Sequence, residues 1–150
     1  MQAKTEARES AGLVSAVRDS RRISLRAGSG RHRFIPLWAV VVERRIFVRS
    51  WSLKPQSWWR TLLVDPRGRI RVAEQEAAFR AVHTRSTRLK AAVDRAYLAK
   101  YGSGGEARFA RDMAGARSRR TTTELVLVGD RPGRAGVGRG TPSRTGRRKS

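Results

Sequence analysis

Residues 35–51 contain the stretch that decides the fold, Ile-Pro-Leu-Trp-Ala-Val-Val-Val-Glu-Arg-Arg-Ile-Phe-Val-Arg-Ser-Trp. Its first eight residues are apolar, which is typical of a strand covered on both faces. Only Glu43 and Arg44 separate this run from a second run that begins at Arg45, and a gap of two residues is a hairpin spacing. Glu-Arg is unfavourable chemistry for the positive φ angles of such a turn. The stretch nevertheless predicts two antiparallel strands.

Five more segments outside this hairpin have strand patterns. They are residues 23–26, 59–64, 69–72, 78–83 and 122–128. Residues 69–72 alternate basic and apolar side chains, and we expect residues 78–83 to be their antiparallel partner. The sequence Asp-Pro-Arg-Gly at 65–68 favours a turn before them, because Pro and Gly stand at turn-favoured places.

Helical spacing appears at the N-terminus and in the second half of the chain. Apolar residues predict a short amphipathic helix over residues 5–19. Ser86 can cap a helix that runs to Tyr101, and Gly102 follows where a helix end favours positive φ. A weaker pattern predicts a helix over residues 106–116. Strands, then helices, then one returning strand indicate an α+β domain whose antiparallel sheet closes as a small barrel.

The chain has 150 residues, and its charge is unevenly distributed. Residues 1–19, an N-terminal arm or helix, have no net charge; residues 20–128, the predicted domain, carry +16; and residues 129–150 carry +6, for a total of +22. The last segment has one large apolar residue, Val137, so we expect a disordered basic tail. The charge has two interpretations, a polyanionic partner or the Arg-rich composition of a GC-rich genome.

Composition and motifs exclude several classes of protein. Cysteine is absent, which excludes disulfides, thiolate catalysis and cysteine-based metal sites. The only histidines, His32 and His83, have no carboxylate pair at ligand spacing, so no metal is expected. No apolar run is long enough to cross a bilayer and the N-terminus is polar, from which we expect a soluble, cytoplasmic protein. If the protein is an enzyme, a cofactor carries the reaction.

Residues 49–60, Arg-Ser-Trp-Ser-Leu-Lys-Pro-Gln-Ser-Trp-Trp-Arg, hold three of the four tryptophans with three cations and three hydroxyls. Cations and hydroxyls bind phosphate oxygens, and an indole face provides a wall for a planar ring. The segment therefore suits a planar, phosphorylated ligand. Trp-Arg surfaces also suit nucleic acid or protein partners, and Trp58 or Trp59 can equally anchor a core.

The order of these motifs closely resembles an uncharacterised bacterial family, domain-of-unknown-function family 2255, over roughly residues 12–128. The most specific piece is residues 93–102, Val-Asp-Arg-Ala-Tyr-Leu-Ala-Lys-Tyr-Gly. The other matching pieces are residues 35–38, 45–51, 58–60, 68–72 and 123–128.

More distantly, the same order resembles the split-barrel proteins that bind FMN or a deazaflavin. In those relatives, a turn like residues 26–31 and the loop after the hairpin hold the cofactor's phosphates and ring. The resemblance implies a split-barrel-like fold, a plausible homodimer, and cofactor contacts from Ser29, Arg31, Arg49, Ser50, Lys54, Trp58 and Arg60. This chain has Trp51-Ser52 where the relatives usually have Gly-Gly, and Trp59 where a Tyr-His pair is common.

Three functions stay open from the sequence. The first is a flavin- or deazaflavin-binding protein that acts as a reductase on a small organic acceptor. The second is a non-enzymatic basic module that binds nucleic acid or another polyanion through the domain and the tail. The third is a barrel without a cofactor, serving as a structural or interaction protein.

Overall fold

The computed structural model describes residues 2–30, 32–52, 54 and 56–128, with side chains from residue 9 onward. Arg31 and the predicted tail, residues 129–150, lie outside the described residues. The helices are α1 Gln2–Asp19, α2 Trp58–Val64, α3 Thr87–Tyr101, α4 Ala107–Met113 and α5 Ala116–Arg119, with a 3₁₀ turn over Gly104–Glu106. The strands are β1 Ile23–Ala27, β2 Ile35–Leu37, β3 Ala39–Val42, β4 Arg45–Val48, β5 Arg67–Val72, β6 Gln75–His83 and β7 Thr123–Leu127.

The seven strands form one antiparallel sheet in the order β2-β1-β5-β6-β7-β4-β3. The two edge strands, β2 and β3, are consecutive in the chain and only Trp38 separates them. The sheet therefore curves until its edges nearly meet. This confirms the predicted α+β class and the barrel-like sheet.

Two apolar layers hold the fold together. The inner face of the sheet buries Leu25, Ile70 and Phe79, and Leu13 and Val17 of α1 pack into the same cluster. The predicted helical spacing at the N-terminus is thus confirmed. On the outer face of β3 and β4, the second cluster joins side chains of those strands to α3 and α4. Its buried members are Val40, Phe47, Leu89, Val93, Tyr97, Tyr101, Ala110 and Met113.

The predicted hairpin forms between β3 and β4, with Val42 opposite Arg45. Glu43 and Arg44 both adopt left-handed backbone angles, with φ of 55° and 63°. For residues with a side chain, this conformation costs about 1–2 kcal/mol each. An ion pair between Glu43 and Arg88 of α3 ties the turn to the helix layer and lowers the pKa of the Glu43 carboxyl.

The single strand predicted over residues 35–42 is wrong, because the run forms two strands with different partners. β2 pairs with β1, whereas β3 pairs with β4. The chain bends at Trp38, whose ring stacks on Tyr101 with centroids 4.0 Å apart. Its carbonyl accepts a hydrogen bond from the Tyr97 hydroxyl at 2.9 Å. Contacts with α3 therefore replace the strand ladder at this residue.

The strand predicted over residues 59–64 is also wrong, because this segment is helix α2. Ser57 is its N-cap, and the Ser57 hydroxyl accepts from the backbone N–H of Arg60 at 3.4 Å. Trp59 and Leu62 lie three residues apart and are the buried residues of the helix. An apolar run with bulky side chains looks like a strand, but here the cap and the i, i+3 burial decide.

Smaller corrections concern the turn predicted at 65–68, the glycine at position 102 and the helix predicted over 106–116. Gly68 lies inside β5, where a Cβ would collide with the Arg26 carbonyl and the Phe79 ring. Ser86 caps α3 as predicted, by accepting from the N–H of Leu89. Gly102, however, has a φ of −80°, and it is required because a Cβ would meet a carbonyl of the preceding turn. The helix predicted over 106–116 divides into α4 and α5.

Candidate functional site

A cleft of about 560 Å³ opens between strand β2, the loop that follows β4, and helix α4. Four aromatic rings line it, those of Trp38, Trp51, Trp58 and Phe109. Pro36, Leu37 and Met113 complete the apolar wall. The polar groups at the cleft include Arg22, Ser52, Lys54, Gln56, Ser57 and Glu106.

The aromatic wall is organised by ring contacts. Phe109 meets Trp38 edge-on at 6.4 Å and Trp51 at 6.2 Å, with interplanar angles of 90° and 73°. Trp38 is fixed from behind by its stack on Tyr101. Trp51 is 51% exposed, and its indole N–H points to an Asp112 carboxylate oxygen at 3.5 Å. The cleft therefore presents flat, apolar ring faces and edges at its mouth.

Trp58 and Lys54 belong to the loop side of the cleft. Trp58 is the first residue of α2 and packs against the inner core cluster, so the start of the helix fixes its ring. Lys54 is exposed, and its backbone N–H donates to the Ser52 hydroxyl at 3.2 Å. These two predicted residues place an indole and an ammonium group on the same cleft.

Arg49 lies beneath the cleft, with only 1% of its surface exposed. Its guanidinium donates to the Thr122 hydroxyl at 2.8 Å, the Asp94 carboxylate at 2.6 Å, and the carbonyls of Met113 and Lys90 at 2.8 and 3.0 Å. Burial lowers the pKa of Arg49, and the carboxylate of Asp94 opposes that shift. The side chain thus joins the loop to α3, to α4 and to the residue before β7.

Ser50 is also buried, beside Arg49. Its backbone N–H donates to the Thr121 hydroxyl at 2.8 Å, and its own hydroxyl donates to the Ser52 carbonyl. The Ser52 N–H donates back to the Ser50 hydroxyl at 3.2 Å. This reciprocal pair curls the loop so that Trp51 projects outward.

Ser29 lies elsewhere, at the turn after β1. Its N–H and hydroxyl donate to the same Asp65 oxygen, at 2.8 and 2.6 Å, and Arg67 binds the other oxygen at 3.2 Å. The bonds from Ser29 hold the pKa of the Asp65 carboxyl well below its usual range. An internal carboxylate therefore occupies the donors that this turn would offer to a phosphate.

Arg60 borders a second cavity, of about 510 Å³, with residues of the Ser29 turn and of α2. Its guanidinium carbon lies 5.0 Å from the centre of the Trp59 ring, and Trp59 is a buried core residue. Of the seven predicted contacts, the structure brings Arg49, Ser50, Lys54 and Trp58 to one cleft. It places Ser29 and Arg60 outside that cleft, and Arg31 lies outside the described residues.

The profile of a protein family described as "Uncharacterized protein conserved in bacteria (DUF2255)" matches residues 14–125. The chain belongs to this family. The resemblance to family 2255 expected from the motif order is thereby confirmed. A structure similar to this DUF2255 chain is that of the conserved hypothetical protein Rv2991 from Mycobacterium tuberculosis, at 17% identity and a TM-score of 0.48. The similarity covers 77% of this chain and 76% of that one. No curated protein matches the chain.

Within residues 2–30, 32–52, 54 and 56–128, no three His, Asp or Glu side chains come together as metal ligands. Over the same ranges, no helix combines the length and the apolar character needed to span a membrane.

The sequence patterns do not indicate the whole lining of the cleft. Trp38 falls within a strand pattern and Phe109 within a weak helix pattern, yet both rings line the cleft. Phe109 lies 58 residues after Trp51 in the chain, and no local pattern indicates that their rings meet. The exposure of the Phe109 ring, which marks it as an aromatic residue with no core to fill, is visible only in the structure.

Proposed function

We propose that this protein binds a planar, negatively charged organic cofactor, a flavin or a deazaflavin, in the cleft lined by Trp38, Trp51, Trp58 and Phe109. The observation that carries the proposal is this set of four aromatic rings on one open cleft with cations at its border. Aromatic rings favour offset or edge-to-face contact with a planar ring. The apolar wall would bind the ring system, and the cations would bind the acidic substituent.

The size of the cleft supports a ligand of this class. Small-molecule sites usually enclose about 300–1,000 Å³, lined mainly by apolar and aromatic side chains with a few polar groups. The cleft has about 560 Å³ and this composition. Trp51 stands at the mouth with half of its surface exposed, so it leaves the cleft open although it replaces a glycine of the flavin-binding relatives.

The charged groups support an anionic ligand. Arg22 and Lys54 line the cleft and are both exposed. The carboxylate at the cleft, Glu106, is ion-paired with Arg21. Because the Glu106 carboxylate is already paired with Arg21, the two cations Arg22 and Lys54 favour a ligand that carries a phosphate or a carboxylate.

The roles of the predicted residues differ within this proposal. Lys54 and Trp58 contact the ligand directly. Arg49 and Ser50 are positioning residues, because their bonds fix the loop that carries Trp51. Ser29 and Arg60 take no part in the cleft. A flavin or deazaflavin supplies hydride chemistry when bound, and the corresponding activity is reduction of a small organic acceptor.

Fluorescence titration of the full-length chain with FMN and with a deazaflavin tests the proposal. We expect saturable tryptophan quenching in the micromolar range that persists at high salt. Trp58→Leu and Lys54→Ala should each weaken binding about tenfold, since each removes one direct contact worth about 1.4 kcal/mol.

The matched controls remove similar groups away from the cleft. Leu63→Ala shortens an exposed apolar side chain on α2, and Arg95→Ala removes one exposed charge on α3. Both should bind like the wild type. Quenching that high salt abolishes, or that all four variants weaken equally, would refute the cleft as a cofactor site and leave a barrel that binds no cofactor there.

A further inference from the structure

The outer face of strands β1, β5 and β6 carries five arginines side by side. In the sheet register, Arg26 lies opposite Arg69, and Arg67 lies opposite Arg80. Arg71 lies two residues after Arg69 on β5. Directly opposed residues in an antiparallel pair share a face, as do residues i and i+2. We call these five residues the arginine face.

The arginine face lies on the same face of the sheet as the surface of β3 and β4 that the helices cover. Val82 of β6 lies opposite Glu124 of β7, which lies opposite Phe47 of β4. Phe47 is fully buried in the cluster with α3 and α4, whereas Arg67, Arg71 and Arg80 are exposed. One half of this face therefore has a helical cover, and the other half meets solvent.

Two carboxylates neutralise only part of this charge. Glu76 binds Arg69 at 2.5 Å and Arg71 at 3.3 Å, and Asp65 binds Arg67 at 3.2 Å. Five guanidinium groups against two carboxylates leave a net charge of +3. Because each guanidinium has five N–H donors, a pair with one carboxylate leaves donors for a second anion.

The aromatic ring of Phe34 lies among these guanidinium groups. The guanidinium carbon of Arg71 is 3.9 Å from the centre of the Phe34 ring, and that of Arg26 is 5.2 Å away. Phe34 is half-buried, so it lies at the surface of the sheet and not within its core. Guanidinium planes and aromatic rings are the surfaces on which unpaired nucleobases stack.

We propose that the arginine face, together with Phe34, binds single-stranded nucleic acid. The guanidiniums of β5 alternate along one strand at a spacing of about 6.6 Å, which offers regularly placed contacts to a phosphate backbone. Base stacking on Phe34 would add a contact that a duplex cannot make. The face spans three strands, whereas a major groove about 12 Å wide admits only a two-stranded ribbon. These features favour a single strand over a duplex.

Fluorescence anisotropy of the full-length chain with a labelled single-stranded oligonucleotide and with a duplex of equal length tests this proposal. The variant Arg67→Gln/Arg69→Gln/Arg71→Gln removes three charges from the face. We expect at least tenfold weaker binding and a salt dependence whose slope falls by about 2, since each phosphate contact on a single strand contributes about 0.7.

The matched control, Arg95→Gln/Arg108→Gln/Arg111→Gln, removes the same charge from exposed positions on α3 and α4. It should bind within about twofold of the wild type, and both triple variants keep the tail. Equal losses in the two variants would mean that total charge drives binding and would overturn the proposal. So would tighter binding of the duplex, or of phosphatidylserine vesicles, than of the single strand.

Phe34→Leu tests the stacking contact and keeps every charge. Single-strand affinity should fall at least fivefold, because base stacking on an aromatic side chain is worth about 1–3 kcal/mol per base, while duplex affinity should not change. An unchanged single-strand affinity would overturn the assignment. Because no arginine-face residue lines the aromatic cleft, this result and the cofactor titration can fail independently.

Discussion

Replacing Arg49 by Leu should destabilise the protein severely, although arginines are usually surface residues. The side chain is buried and donates to four acceptors, on Thr122, Asp94, Met113 and Lys90. Leu retains apolar bulk but no donor, so the Thr122 hydroxyl and two carbonyls lose this partner, and the Asp94 carboxylate keeps only its ion pair with Arg119 at 3.0 Å. Removing one partner of a buried pair typically costs about 3–5 kcal/mol. We therefore expect the free energy of unfolding to fall by about 3–5 kcal/mol. This is a large part of the total, because domains are usually stable by only about 5–15 kcal/mol.

Urea unfolding followed by circular dichroism and tryptophan fluorescence measures this change. Arg49→Lys should recover only part of the loss, because one ammonium group cannot reproduce a planar fork that reaches four acceptors. Arg108→Leu, at an exposed position on α4, is the control and should change stability by less than about 0.5 kcal/mol.

The double variant Arg49→Leu/Asp94→Leu separates a coupled pair from a general loss of packing. If the two side chains interact as the 2.6 Å contact indicates, the double variant should be more stable than the sum of the single effects by about 1–3 kcal/mol. A loss below about 1 kcal/mol for Arg49→Leu, or strict additivity in the cycle, would refute the interpretation of Arg49 as the centre of the network.

Three other variants test separate features of the fold. Gly68→Ala should lower stability by about 1–3 kcal/mol, because its Cβ would collide with the Phe79 ring, and chemical denaturation measures this. Ser57→Ala should cost about 1 kcal/mol through the lost cap of α2, with Ser57→Asp restoring it. Burial lowers the pKa of Lys100 to about 8 from 10.5, so the unfolded chain binds more protons between these values. Stability should therefore rise over pH 8–10 more steeply than in Lys100→Met; parallel pH profiles would contradict this.

The hairpin over residues 39–48 was predictable because two signals agreed there. Apolar runs on both sides and a two-residue gap leave one register, in which Val42 meets Arg45. The turn residues opposed this register locally, yet Glu43 and Arg44 adopt positive φ because sheet pairing and the Arg88 ion pair outweigh that cost. Strong nonlocal pairing can thus override local preference.

Helix α2 and the break at Trp38 were not predictable from their own segments. Trp59–Val64 has the bulky apolar composition of a strand, and the helix follows from the Ser57 cap together with the burial of Trp59 and Leu62 on one face. Residues 35–42 have a continuous apolar pattern, but its halves pair with β1 and β4. The partner strand is a property of the whole sheet, so no pattern within eight residues indicates where the chain turns from one to the other.

The candidate cleft was predictable in composition but not in geometry. Residues 49–58 indicated tryptophans and cations, and Trp51, Lys54 and Trp58 do line one cleft. The same pattern could not separate Lys54, which is exposed, from Arg49, which is buried. The difference comes from acceptors on α3, on α4 and on the residue before β7, which are more than 40 residues away in the chain.

The distribution of arginine over the sheet explains why the helical layer ends where it does. A helix packed over β5 would have to remove from water three guanidiniums, those of Arg67, Arg69 and Arg71, together with only two paired carboxylates, those of Asp65 and Glu76. Taking such charges out of water costs several kcal/mol per ion. Over β3 and β4, the same face presents Val40 and Phe47, which gain stability when α3 covers them. The covered half therefore builds the fold and one wall of the cleft. The uncovered half keeps its guanidiniums in water, as the proposed contact with a nucleic acid strand requires.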